Sequence, residues 1–371
     1  MSGRGIHLDP DQRRDWLRLI RTENVGPRAF RGLINRFGGA AAALEALPGM
    51  ARRGGRLIPP RIPTLAEVEA EIAALERIGA RLVALGEPEY PALLREIDDA
   101  PPLIAMRGRI ELLSRPAVAI VGSRNASGAG RTMTARIARG LGEAGWLVVS
   151  GLARGIDADA HAASLATGTA AVIAGGLDRP YPRENDALHA RIVEQGVVLT
   201  EMPMGWEPRA RDFPRRNRLV SGMTLGVVVV EAAERSGSLI TARLAGEQGR
   251  EVLAVPGSPL DPRAAGTNGL IKQGAALVTG ADDVIEVLSS LRGRPSAFRV
   301  EEEPDMALDM FEPSDDARSR LLGLLGTTPL PVDDLVSMAG CSAAEAQIVL
   351  LELELAGRLE RHAGGRVSLL A

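Results

Sequence analysis

A doubly wound α/β sheet is the central architecture this sequence predicts, and three observations predict it. From Ala117 to about Ser290, short near-continuous apolar runs recur with helical segments between them, the pattern of a parallel sheet covered by helices on both faces. Two of these runs break into glycine turns that carry an arginine. Ala117–Val121 runs into Gly122-Ser123-Arg124, and Trp146–Ser150 runs into Gly151-Leu152-Ala153-Arg154-Gly155, each followed by a helical segment. The third observation is length: 371 residues exceed what one small core supports, so flanking domains are expected.

In chain order, Asp11 to Leu47 reads as short amphipathic helices, because Trp16, Leu17, Leu19 and Ile20, then Phe30, Leu33, Ile34 and Phe37, recur at helical spacing. Between them Asn24-Val25-Gly26-Pro27 is a turn that places Pro27 at the first helical position. The unit resembles a helix-hairpin-helix, which either presents N–H groups to a DNA backbone or serves packing and protein contact. Pro48 to Pro63 is rich in Pro, Arg and Gly and reads as a linker, so residues 1–63 are expected to form a small helical domain with its linker. A helix over Leu65–Ile78 and a strand over Leu82–Leu85 then open the central domain, residues 64–290. Its strands are expected near 117–121, 146–150, 169–174, 197–200, 226–231 and 251–255. Residues 291–316, rich in Pro, Glu and Asp, read as a tether. In residues 317–371, helical segments at Ala317–Leu325, Val332–Met338 and Ala343–Leu355 precede a hairpin through Gly364-Gly365, which together predict a winged helix. Its third helix carries Glu345, Glu352 and Glu354 and no basic residue, an unfavourable surface for phosphate.

Composition narrows the function classes. A formal net charge of −3 excludes a uniformly basic coat, so a polyanion site must be a local patch. One cysteine, Cys341, permits no internal disulfide, and four scattered histidines give no spaced metal-ligand cluster, so neither a metal nor another cofactor is expected. Met1 to Asp11 is polar, and no run reaches the roughly 18 apolar residues of a membrane span. A cytoplasmic protein that is not exported is the expectation. The only lysine among the basic residues is Lys272.

The glycine turns suit phosphate, since a helix N-terminus offers unpaired N–H groups and partial positive charge. The first turn is no Walker loop, for it lacks the lysine and hydroxyl pair, and it misses the spacing G-x-G-x-x-G. In the second, Asp157 can brace a helix end and His161, one turn later, can pair with it. A catalytic Asp/His pair is the alternative, although no activated nucleophile accompanies it. After Gly175-Gly176, Tyr181 is placed to stack a base or simply to pack. The strongest local charge is Arg209, Arg211, Arg215, Arg216 and Arg218 around Phe213 and Asn217. Guanidinium forks suit phosphates and an interleaved aromatic suits bases, which favours a single strand over a mononucleotide. Ser236-Gly237-Ser238 opens a further helix, and Gly266-Thr267-Asn268 precedes Lys272 at what reads as another helix start. All these positions belong on the carboxyl rim of the sheet. The candidate DNA-binding residues are therefore Gly122, Ser123, Arg124, Gly151, Arg154, Arg215, Asn217, Arg218, Ser236, Gly237, Asn268 and Lys272.

Taken together, the ordered segments AVAIVGSR, SGLARGIDADAH, AGGLDRPYPREN, LTEMP, FPRRNRLVSG, EAAERSGSLITA, EVLAVPG and GTNGLIKQGA resemble the DNA-processing protein A (DprA, or Smf) family. The flanking modules look like those of long family members. The resemblance implies a homodimeric, non-catalytic mediator that binds incoming single-stranded DNA in natural transformation and helps load RecA, with single-stranded DNA-binding protein as a further partner. It carries binding roles to Gly122, Ser123 and Arg124, to the segment around Arg215 and Arg218, and to Lys272. Ala129 departs from the pattern, since many relatives place a tyrosine there. The competing class is a Rossmann-like nucleotide-processing enzyme of the phosphoribohydrolase type. Such enzymes carry a Pro-Gly-Gly-x-Gly-Thr-x-x-Glu turn, where this chain reads Glu231-Ala232-Ala233-Glu234-Arg235-Ser236-Gly237-Ser238.

Overall fold

A computed structural model describes residues 7–291, 312–362 and 364–370. Most of the expected tether, residues 291–316, lies outside them. The described chain divides into two compact units: one holds residues 70–291, and the other joins residues 8–69 to residues 312–370.

The amino-terminal helices are α1 (Pro10–Arg21), α2 (Pro27–Phe37), α3 (Ala40–Arg53) and α4 (Leu65–Arg77), which carries the chain from one unit into the other. Asp9 caps α1 in a capping box with Gln12, and Pro27 opens α2 as its fixed φ allows. The expected linker over Pro48–Pro63 begins too early, because α3 runs through Pro48 to Arg53. Leu44, Leu47, Met50 and Ala51 on that helix are all buried, and their packing outweighs the backbone hydrogen bond that proline forfeits.

The sheet of the first unit has the order β1-β2-β6-β5-β4-β3-β7-β8-β9. Its strands are β1 (Ala80–Ala84), β2 (Leu103–Gly108), β3 (Ala117–Val121), β4 (Leu147–Ser150), β5 (Thr169–Val172), β6 (Val197–Thr200), β7 (Gly226–Val229), β8 (Glu251–Ala254) and β9 (Ala276–Leu277). From β6 to β9 every neighbouring pair is parallel, as the apolar runs predict. The β1–β2 hairpin makes the sheet mixed, since β2 joins the β6 edge antiparallel. Sequence patterning missed β2, whose short apolar run acquires a direction only through its long-range partner.

Helices α5 (Gly128–Glu143), α6 (Ile156–Ser164), α7 (Asp186–Gln195), α8 (Asp212–Gly222), α9 (Gly237–Glu247), α10 (Ala265–Lys272) and α11 (Ala281–Ser289) connect the strands. Alternate strand residues feed opposite cores, as the pleat requires. Ala119, Val121, Val149 and Val227 pack with Leu219 and Val220 of α8 and Ala242 of α9. Val118, Ile120, Val148 and Val228 pack with Ile137 and Leu141 of α5, Ile156 of α6 and Leu288 of α11. The chain leaves β3 toward β4, β5 and β6, then returns to place β7 on the other side of β3. The β3–β7 boundary is thus the topological switch point, where a crevice opens at the strand ends.

In the second unit, α12 (Asp315–Leu324), α13 (Val332–Ala339) and α14 (Ala343–Leu355) precede a three-stranded sheet of order β10-β12-β11, formed by β10 (Leu330–Pro331), β11 (Leu359–His362) and β12 (Arg366–Leu369). This is the winged helix that the helix and hairpin pattern predicts. Among the described residues no single helix is long and apolar enough to cross a membrane.

His161 on α6 is fully buried, and its Nδ1 lies 2.8 Å from Thr169 Oγ1 at the start of β5. It pairs with Thr169 and not with Asp157, the partner that the helical spacing allows. Burial, then the nearby Arg216 charge, hold its pKa down to about 3. Between about pH 6.5 and 3 the unfolded chain therefore binds a proton that the folded chain refuses, so stability falls as pH falls through that window. Denaturant titrations should show about 2 kcal/mol lost to this group between pH 7 and pH 5. The loss should vanish in His161→Asn; equal pH slopes for the two proteins would contradict it.

Candidate nucleic-acid interface

The first glycine turn leaves β3 at Gly122 and enters α5 at its N-cap, Ser127, whose hydroxyl accepts from Gly130 N at 2.9 Å. From the end of the neighbouring strand, Glu231 reaches back to the same turn. Ser127 N and Ser127 Oγ donate to its carboxylate at 3.0 and 2.5 Å. A Cβ at Gly130 would stand 2.5 Å from the Glu231 carboxyl carbon, which is why glycine is required there. The α5 N-terminus is therefore already served by an internal carboxylate and is no open seat for phosphate.

The second turn is spent in the same way. Asp157, buried on α6, accepts from Gly151 N at 3.1 Å and Ala153 N at 3.3 Å. The two turns also interlock: Ile156 N donates to Ser123 O at 3.2 Å, and Gly155, at φ +73°, lies against the Ser123 and Arg124 backbone where a Cβ would collide. The expectation that both turns hold phosphate through free helix N-termini is thus corrected. Their backbone donors at Ser127, Gly130, Gly151, Ala153 and Ile156 brace the rim, and the rim carries cationic side chains.

Helix α8 separates the arginine cluster by its own geometry. Phe213, Arg216, Asn217 and Val220 share one face at helical spacing and line the cavity at the switch point. Arg216 is buried, and its guanidinium donates to Gly151 O and Val172 O. Burial pulls its pKa down to about 10, with Asp157 opposing and Arg124 reinforcing that shift. It therefore stays charged at neutral pH. Burial likewise pushes the Asp157 carboxyl up, while Arg216 and the two backbone donors pull it back. Arg215 and Arg218 turn the other way, onto Glu201: Arg215 Nε lies 2.9 Å and Arg218 Nη2 2.5 Å from its carboxylate. Arg218 also donates to Asp99 O at 2.7 Å, so this buried guanidinium is committed within the fold.

The cavity, about 670 Å³, opens between Gly122-Ser123-Arg124 on one side and Arg235-Ser236-Gly237-Ser238 on the other, with Arg216 at its floor. Ser236 caps α9 by accepting from Ser238 N, and this capped helix start lines the same space. Arg124 stands 5.5 Å above the Phe213 ring, and Tyr181, half exposed, lies 5.6 Å from the same ring. Arg154 joins these rings in a smaller adjoining recess, its guanidinium 3.8 Å from Glu184.

Of the twelve candidate residues, Gly122, Ser123, Arg124, Gly151, Asn217, Ser236 and Gly237 line the one cavity, and Arg154 borders it. Arg215, Arg218, Asn268 and Lys272 do not. Asn268 holds the Gly257 backbone on both sides, accepting from its N at 3.2 Å and donating to its O at 3.0 Å. Lys272 is the last residue of α10 and is exposed, not beside a helix start, because α10 begins at Ala265 and contains Gly266-Thr267-Asn268. Arg216 and Arg235 were missed as candidates. A helical wheel through Phe213 would have found Arg216, whereas nothing local distinguishes Arg235 from a solvated loop residue. Among the described residues no group of three or more His, Cys, Asp or Glu could hold a metal ion.

A family model described as DNA recombination-mediator protein A matches residues 81–289. A DprA-like N-terminal HHH domain matches residues 10–74, and a DprA winged helix domain matches residues 309–365. Protein Smf of Escherichia coli is 39% identical over 310 residues, covering 81% of each chain. DNA processing protein DprA of Bacillus subtilis is 42% identical over 62% of this chain and 76% of its own. Among solved structures, DNA processing protein A of Streptococcus pneumoniae aligns with a TM-score of 0.58 at 38% identity, covering 67% of this chain and 82% of that one. The Helicobacter pylori protein, described with a unique single-stranded DNA binding mode, aligns with a TM-score of 0.52 at 28% identity over 57% of this chain and 96% of its own. With the central model spanning more than half the chain and both flanking modules matched in order, this chain belongs to the DNA recombination-mediator protein A family.

Proposed function

We propose that this protein is a single-stranded DNA-binding recombination mediator that holds the strand across the β3–β7 crevice without breaking or making covalent bonds. The observation that carries the reading is the convergence of Arg124, Arg216 and Arg235 with the α9 N-terminus around one open cavity. Arg124 and Arg235 supply phosphate contacts with little regard to sequence, the buried Arg216 adds positive charge at the floor, and Phe213 and Tyr181 supply faces on which bases stack. A mononucleotide would need fewer charges and a closed wall; an open rim with an aromatic border suits a continuing strand. The H. pylori relative, whose description names single-stranded DNA, supports this choice of ligand. Family membership extends the proposal to a cytoplasmic homodimer that receives incoming DNA in natural transformation and passes it to RecA, in company with single-stranded DNA-binding protein.

Glu231 distinguishes this reading from glycosidic cleavage. Its carboxylate is bonded to Ser127 N and Oγ, so it acts as a brace for the first turn.

Two predictions separate the binding arginines from the structural ones. Arg124→Ala with Arg235→Ala should weaken binding of a fluorescent oligothymidine at least tenfold. It should also flatten the slope of log affinity against log salt by about 1.4, at about 0.7 per phosphate contact. Wild-type affinity and slope in that variant would defeat the assigned site. Glu201→Ala, by contrast, leaves the buried Arg218 charge with Asp99 alone, 3.5 Å away, and should cost about 2 kcal/mol in urea denaturation. Its oligothymidine affinity should stay within twofold of wild type while the protein remains folded.

A further inference from the structure

Helix α14 presents apolar residues to two separate cores, with Glu345, Gln347, Glu352 and Glu354 at its remaining polar positions. Ala346, Val349, Leu350 and Leu353 face the interior of the winged helix, packed with Leu321, Leu335 and Val367. Leu351 and Leu355 belong to a different core, that of the amino-terminal helices, with Phe30, Leu33, Leu47 and Met50. A helix that reads DNA keeps this outer face polar and basic. Here it is apolar and covered.

The polar groups at the same contact are matched as closely. Glu352, 1% exposed, receives Arg53 Nε of α3 at 2.6 Å and Arg318 Nε of α12 at 3.0 Å, so one buried carboxylate ties the two modules together. Glu312 continues the network, 3.1 Å from Arg36 and 2.9 Å from Arg318. Backbone carbonyls at both ends are also satisfied across the contact: Asn24 Nδ2 donates to Leu355 O at 3.3 Å, and Arg358 Nη1 donates to Gly54 O at 3.1 Å. Close approach needs glycine at position 54, where a Cβ would collide with the Glu352 carbonyl, whereas a Cβ at Gly32 would meet Leu351 in ordinary contact at 3.5 Å. The other two glutamates are likewise engaged, Glu345 in the capping box of α14 and Glu354 with Arg361 at 2.8 Å. Of the acidic surface that the sequence predicts for this helix, Glu352 is thus internal, while Glu345 and Glu354 stay partly exposed and paired within their own module.

We infer that α14 is a protein-docking helix whose partner is the amino-terminal helical module of its own chain. The two modules form one mutually dependent unit, and the winged helix does not offer this helix to duplex DNA. Apolar complementarity, a shared buried carboxylate and glycine-permitted contact each point to the same partner.

Hydrogen–deuterium exchange on the full-length protein tests the inference from both sides of the contact. Gly32→Leu lies on α2, remote from the interior of the winged helix, and Leu351→Asp lies on the outer face of α14. Each should raise exchange at least tenfold in both α2–α3 and α14 and leave residues 81–289 as protected as in wild type. An increase confined to the substituted module in each variant would overturn the inference, as would unchanged exchange in both. A fluorescent duplex supplies the second arm. Its affinity should not rise in either variant, and a tenfold gain in both would instead mark α14 as a masked DNA reader.

Discussion

The buried guanidinium of Arg216 is the interaction on which the rim depends. It donates to the carbonyls of Gly151 and Val172 at the ends of adjacent strands and lies beside the Asp157 carboxylate at the start of α6. A buried charge of this kind is tolerable only when its donors are satisfied and a counter-charge is near. Both conditions dictate local sequence. Gly151 must lack a Cβ, which would stand 2.6 Å from the guanidinium, and Asp157 must sit where it can also hold the Gly151 and Ala153 amides. β4, β5, α6 and α8 are thereby fixed to one another at the carboxyl edge of the sheet, where the crevice opens.

A second consequence concerns how the proposed polyanion site is built in a chain of net negative charge. Both helices that leave the glycine turns already have carboxylates at their N-termini, Glu231 for α5 and Asp157 for α6. These carboxylates use the helix dipoles to stabilise the fold, so the dipoles contribute rigidity to the site more than attraction. On the proposed function, attraction falls to the side chains of Arg124 and Arg235, with the buried Arg216 charge at the cavity floor. Rigid placement matters because guanidinium contacts gain most when little side-chain freedom is lost on binding.

The terminal modules obey a different constraint. Small helical units bury too little apolar surface to be stable by wide margins on their own. Sharing a core through Leu351 and Leu355 enlarges the apolar interior available to both, and the Glu352 network fixes the orientation at which they meet. A helix with apolar residues on two faces is the local signature of that arrangement.

Legibility in the sequence follows the range of the interactions. Strands β3 to β8, the glycine turns, the Pro27 helix start and the winged-helix order were all readable, because apolar periodicity and turn chemistry act over a few residues. The crevice could be placed at the strand ends for the same reason, and Arg124, Ser236 and Gly237 do line it. What the tertiary structure alone decided was the direction in which each arginine points and the fate of each donor. Arg215, Arg216 and Arg218 are near neighbours in sequence, yet one lies at the cavity floor and two turn onto Glu201, because a helix rotates successive side chains by about 100°. Asn268 and Lys272, the latter also named by the family resemblance, lie on α10, which begins at Ala265, and do not line that cavity. The sequence by itself determined the sheet, its turns and the region of the site. Only tertiary packing chose which charges are spent on the fold and which remain for a ligand, since that choice depends on partners such as Glu201, Glu231 and Asp157 brought together from distant strands and helices.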